Sequence, residues 1–155
     1  MNAGRDTIVR NRKEFRAGLL ALGVPIALLA AWALIAPHGW FDNFPGGGRH
    51  WVAALGPYNE HLARDFGSVY LGLGLLLVYA GLTLDRLLVQ AALVMLLIFS
   101  VPHFAYHLTQ LDKLPTGDNV ANMLTLSATV VLPIVLLALS TRSRQQAVVR
   151  QPSFQ

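Results

Sequence analysis

Four long stretches of this chain carry no formally charged side chain, and they constrain its fold more than any other feature. No charge occurs between Arg16 and Asp42, and residues 17–36 alone supply 20 mostly apolar positions. Residues 66–84 give 19 uncharged positions between Asp65 and Asp85. Residues 87–111 give 25 between Arg86 and Asp112, and residues 119–141 give 23 between Asp118 and Arg142. A helix of about 20 residues crosses a hydrocarbon core roughly 30 Å thick. Buried strands run to only about 4–8 residues, so the stretches are too long to be strands. The sequence therefore predicts an all-α, integral membrane four-helix bundle, with spans at about 17–36, 66–84, 87–108 and 119–141. Polar tails, 1–16 and 142–155, flank this one domain of 17–141.

Composition agrees. Charged residues make up 13% of the chain, against about 25% in an ordinary soluble domain. The absence of cysteine excludes disulfide frameworks, thiolate zinc sites, iron–sulfur clusters and thiol nucleophiles. The net charge of +4 is a matter of topology and not a nucleic-acid footprint. Nine of the twelve basic residues fall in the N-terminal tail (Arg5, Arg10, Arg12, Lys13, Arg16), beside the turn at Arg86, or in the C-terminal tail (Arg142, Arg144, Arg150). Only Arg49, Arg64 and Lys113 fall on the opposite side. The positive-inside rule predicts both termini in the cytoplasm of a multi-pass cell-membrane protein. Ala31-Trp32-Ala33 could end a signal peptide, but the apolar run before it exceeds the roughly 7–15 residues of such a segment.

Between the first two spans lies an outer connection with Phe44-Pro45-Gly46-Gly47-Gly48, a turn signal flanked by Trp40, Phe41 and Trp51. The aromatic residues suit an interfacial belt. No Gly-Lys-Ser/Thr follows the glycines, so they form no phosphate loop. Gly56-Pro57 is expected to open the second membrane helix, since proline fits a first helical position. Leu84-Asp85-Arg86 predicts a tight turn, and Asp118 a helix cap for the fourth span. Gly67, Gly74 and Gly81 recur every seven residues and predict a seam for close helix packing, within the chain or with a homo-oligomer or another membrane partner.

All five histidines fall on the outer side of this topology. Tyr58, His61, Asp65 and Ser68 share one face of the second helix. Ser100, His103, His107 and Gln110 share one of the third, and Asp118, Asn122, Thr125 and Thr129 one of the fourth. Polar faces are costly against lipid, so the three stripes are expected to converge on a shared chamber. There His61, Asp65, His103 and His107 could hold zinc, iron or copper. The sequence lacks both His-Glu-x-x-His and the four-carboxylate di-iron set. Haem between His61 and His103 or His107 is a further cofactor reading; no Cys-x-x-Cys-His is present for attachment.

Without a metal, Asp65 beside His61 would serve as a proton donor, with Tyr58 assisting. Asn122, Asp118, Ser100 and Trp51 would position the substrate. A lipophilic small molecule entering from the bilayer suits such a chamber, and acid–base isomerisation or cyclisation of an isoprenoid suits the groups. The rival expectation is a non-catalytic accessory subunit whose histidines serve packing. Glu60 and Arg64 are expected to form a solvated ion pair.

Two segments carry a resemblance. They are Gly56-Pro57-Tyr58-Asn59-Glu60-His61-Leu62 followed by Arg64-Asp65, and Val101-Pro102-His103 with Tyr106-His107-Leu108. With them the chain resembles small four-span bacterial membrane proteins, loosely DoxX-like in size and layout, over roughly residues 37–140. The resemblance implies the four-span fold and singles out the Tyr58–Asp65 and His103–His107 constellations. The cysteine pairs of redox-active four-span proteins are missing, which counts against a thiol–quinone role.

Overall fold

The computed structural model describes Ile8 and residues 11–149, with side-chain surroundings described through Thr141. The described residues form five α-helices and a single 3-10 turn at Ala53–Leu55, with no strand. The helices are α1 (Arg12–Ile35), α2 (Pro37–Asn43), α3 (Glu60–Thr83), α4 (Arg86–Leu108) and α5 (Thr116–Val149). Four segments are long and apolar enough to cross a membrane: α1, α3, α4 and Thr116–Thr141 of α5. Leu28, Ile35, Val69, Leu87, Ile98 and Leu124 all lie exposed on their surfaces. An apolar exterior of this extent suits lipid and not water.

Local chemistry sets the helix ends. Pro37 opens α2 at a position where its missing N–H costs nothing. The Asn59 side chain accepts from the Leu62 N–H at 3.0 Å and caps α3. This corrects the expectation that Pro57 begins the helix, because the capping side chain stands two residues later. Asp85 caps α4 in the same way, accepting from the Leu88 N–H at 3.0 Å. Asp118 is not a cap: α5 has already begun at Thr116, and Asp118 lies in its first turn. Beyond the last span α5 runs on to Val149, into the polar tail expected over residues 142–155. The basic residues Arg5, Arg10 and Arg150 lie outside the described residues.

The bundle consists of two tight helix pairs, α1 with α3 and α4 with α5, joined by the α3–α4 turn. The glycine seam is what brings α1 and α3 together. A Cβ on Gly67 would fall 2.6 Å from the Leu34 nitrogen, and one on Gly74 would fall 2.6 Å from the Ala27 nitrogen. Gly81 lies over Leu19 in the same row. The seam is therefore used up within the chain and presents no surface to a partner through Gly67, Gly74 or Gly81. Helix α5 reaches α1 where Leu136 covers Gly18, and α3 and α5 do not pack together.

The end of the bundle carrying the α3–α4 turn is closed by polar bonds over a dense core. Leu84 turns the chain at φ 54° and its carbonyl accepts from the Ile8 N–H at 3.0 Å, with Ile8 fully buried. Arg16 donates to the carbonyls of Gly81 and Leu82, the last turn of α3. Arg86 is buried and donates to the Ser140 carbonyl, while Gln90 donates to the Ser140 hydroxyl at 3.0 Å. These bonds pin α5 to α4 at the turn end. Beneath them Leu19, Leu77, Val89, Leu93 and Leu96 form the core.

Candidate functional site

At the opposite end, α4 and α5 meet through a polar contact. Asn122, one turn into the span, directs its amide nitrogen at His107 Nδ1, 3.0 Å away, and both side chains are buried. An amide N–H donates, so Nδ1 of His107 accepts and the ring proton resides on Nε2. His103, one turn earlier on α4, meets His107 edge to face with ring centroids 4.6 Å apart. His103 forms no hydrogen bond to another described residue. It stacks instead on Phe99, at 4.9 Å and 29° between planes. Phe99 contacts Tyr70 at 4.5 Å and Phe66 at 6.1 Å, both on α3. Phe66 in turn stacks on Trp40 of α2 at 5.2 Å. An unbroken run of rings thus crosses from the histidine pair on α4 to the cap formed by residues 37–58.

Two further features frame this run. Ser100, two turns from His107 on the same face of α4, is buried and its hydroxyl has no partner among the described residues. The indole N–H groups of Trp40 and Trp51 are likewise buried without a partner. Trp51 belongs to the cap, edge-on to Phe44 at 6.0 Å. The cap turns through Gly46, Gly47 and Gly48, all at positive φ that a side chain would strain. It is then tied across to the other helix pair by Arg49, whose Nε lies 2.8 Å from Asp118 Oδ1.

Not every expected residue joins this assembly. His61 and Asp65 pair with each other at 3.3 Å, but their side chains are 87% and 60% exposed and share no contact with His103 or His107. Among the described residues, no three His, Asp or Glu side chains come close enough to hold one metal ion. The structure therefore does not bring His61, Asp65, His103 and His107 together as one ligand set. One physical reason is depth. His61 and Asp65 stand in the first two turns of α3, before the apolar run begins at Phe66, where water still solvates them. Ser68 satisfies itself on the Arg64 carbonyl.

Tyr58 contacts the rings of His38 and Phe41 in the cap, away from the histidine pair. Partial desolvation, with the Glu60 carboxylate adding to it, raises its phenol above the ordinary value of 10.0. Asp118 holds Arg49, and Glu60 and Arg64 form the expected pair at 2.8 Å. Of the three polar stripes, those of α4 and α5 meet and that of α3 does not.

Comparison with protein-family models, curated proteins and solved structures finds no match.

The residues that the sequence did not single out are aromatic. Phe66 and Tyr70 stand four apart on α3, as do Phe99, His103 and His107 on α4. That i, i+4 recurrence of rings on neighbouring helices was the available signal. Arg49 gave none, because its partner lies 69 positions away.

Proposed function

We propose that this chain binds a lipophilic small molecule in the capped end of the bundle and acts on it by acid–base chemistry at His103 and His107. The observation that carries the reading is the histidine pair itself. Two imidazoles touch, one is held in a fixed tautomer by Asn122, and a continuous aromatic surface leads away from them. Imidazole gives and takes protons near neutral pH, so such a pair can relay one. Proton-driven isomerisation or cyclisation of an isoprenoid is the reaction class this favours. In this reading His61, Asp65 and Tyr58 lie outside the reacting centre, and no metal is required. The distribution of basic residues supports placing the cap outside the cell membrane and both termini in the cytoplasm. The ligand would enter from the outer leaflet between α1 and α5, whose one close approach, Leu136 over Gly18, lies toward the opposite, α3–α4-turn end of the bundle. The likeness to DoxX-like four-span proteins supports the layout and is part of the proposal.

The test uses protein purified into lipid nanodiscs, followed by solvent extraction and mass spectrometry of bound lipophilic compounds. His103→Ala, His107→Ala and Asn122→Leu should lose the compound or its turnover, while His61→Ala and Asp65→Asn retain both. The reverse pattern would overturn the assignment.

A second reading has one observation in its favour. The exposed His61, Asp65 and Ser68 share a face of α3 with Gly72, around which the space is open. A partner helix could cover that face if the chain is an accessory subunit. A protein copurifying at fixed stoichiometry, and lost on Asp65→Asn, would mark that role.

A further inference from the structure

Among the described residues, the buried side-chain groups left without partners are two indole N–H groups and the Ser100 hydroxyl, all of which can donate. The indole N–H groups of Trp40 and Trp51 are buried and unpaired, and an indole can only donate. Asn122 occupies Nδ1 of His107, which leaves Nε2–H of that ring, an atom not fully buried, as a further donor. Buried donors without acceptors are costly in a folded protein and call for an explanation. A ligand that brings acceptor oxygens supplies one.

Charge narrows the ligand further. The charged groups at this end answer one another: Arg49 with Asp118, Arg64 with Glu60, His61 with Asp65, Lys113 with Asp112. None of them lies beside the histidine pair, so neither an anion nor a cation would find a counter-charge there, and an uncompensated charge in such a place is heavily penalised.

Resting on the proposed function, we infer that the ligand is an uncharged carbonyl compound with an apolar tail, its oxygen accepting from His107 Nε2–H. The carbonyl is the simplest group that accepts strongly, cannot donate and carries no charge. The unpaired indole N–H groups of Trp40 and Trp51 lie in the cap at the same end of the bundle.

Three polyenes that differ only at the head group test this: all-trans-retinal, retinol and retinoate. Each is titrated into the full chain in nanodiscs, and quenching of the three tryptophans reports binding. Retinal should bind about tenfold or more tighter than retinoate, the order of one well-placed hydrogen bond against a buried unpaired charge, with retinol between them. His107→Leu should weaken retinal about tenfold, and His107→Gln, which keeps an N–H donor, by no more than about threefold. Trp40→Phe and Trp51→Phe should each weaken it, and His61→Ala should leave it unchanged. The glutamine variant and the His61 control separate loss of a donor from loss of the fold. Retinoate binding as tightly as retinal, or His107→Leu binding retinal normally, would overturn the inference. The broader reading would survive that result if extraction still finds a lipophilic compound dependent on His103. Failure of all three probes to bind would overturn the inference, and an empty extract as well would remove the broader reading.

Discussion

Substituting Gly74 by alanine tests the packing that organises the bundle. The new Cβ would sit 2.6 Å from the Ala27 nitrogen, 2.8 Å from its Cα and 3.0 Å from its Cβ. Ordinary contact begins near 3.4 Å, so α1 and α3 must part by about 0.8 Å at this point. The obstacle is mainly backbone, which cannot swing aside as a side-chain end can. A gap of roughly 0.5–1 Å forfeits a quarter to a half of the dispersion energy along the contact. Alanine returns about 1 kcal/mol through its better helix propensity. Overpacking and lost contact together cost about 3–4 kcal/mol, which leaves a net destabilisation of about 2–3 kcal/mol. Gly72 provides the control on the same helix, because an added Cβ there meets nothing within 4 Å. Gly72→Ala should therefore be neutral or stabilise by up to about 1 kcal/mol. Unfolding in mixed micelles of increasing SDS fraction, followed by circular dichroism, gives both values on one scale. Equal midpoints for Gly74→Ala and the unaltered chain would refute the close approach of α1 and α3. So would equal destabilisation by the two substitutions.

Three further outcomes follow from the polar contacts. Arg49→Asp should loosen the cap, and the exchange Arg49→Asp with Asp118→Arg should restore it; the half-exposed pair is worth about 1 kcal/mol at most, and tryptophan emission during salt titration reads the change. Arg86→Met removes a buried donor from the Ser140 carbonyl and should cost about 2 kcal/mol in the same SDS unfolding assay. The Lys113 side chain, by its hydrogen bond, holds the Asp112 carboxyl below its ordinary value of 3.8. A depressed carboxyl contributes stability that is present above its unfolded value and is lost as pH falls through its folded one. Lys113→Met should move the Asp112 midpoint up toward the ordinary value in a carbon-13 NMR titration, and an unmoved midpoint would remove Lys113 as the cause.

The four spans were legible because hydrocarbon leaves a sequence little freedom: about 20 uncharged positions in a row have few other uses. The caps were only half legible. Asp85 stands where its helix begins, whereas α3 starts at Glu60, three residues after the expected Pro57 and capped by Asn59, and α5 starts at Thr116, two residues before Asp118. Boundaries depend on which side chain wins a single hydrogen bond, and that competition leaves a weak trace in sequence. Long-range ties such as Arg49–Asp118 left none.

The misplacement of His61 and Asp65 has a different origin. Helical spacing shows which residues share a face and says nothing about where that face points. Yet the second helix carried the missing direction. Its glycine seam must lie against another helix, because only that use explains small residues at Gly67, Gly74 and Gly81. At 3.6 residues per turn each position advances about 100°. Asp65 therefore stands about 160° from Gly67 and about 180° from Gly74, on the far side of the helix from the seam. The same rotation places Phe66 between the two faces, toward α4, where the ring run crosses. A polar stripe opposite a packing seam faces away from its own bundle unless a third helix covers it, and here α4 covers the flank at Phe66 instead. On α4 the ring stripe and the polar stripe coincide at His103 and His107. The rings meet α3 and the polar groups meet Asn122 of α5, so this stripe turns inward. The rule that sorts the two cases is the angle between a helix's polar residues and the residues that already commit it to a neighbour.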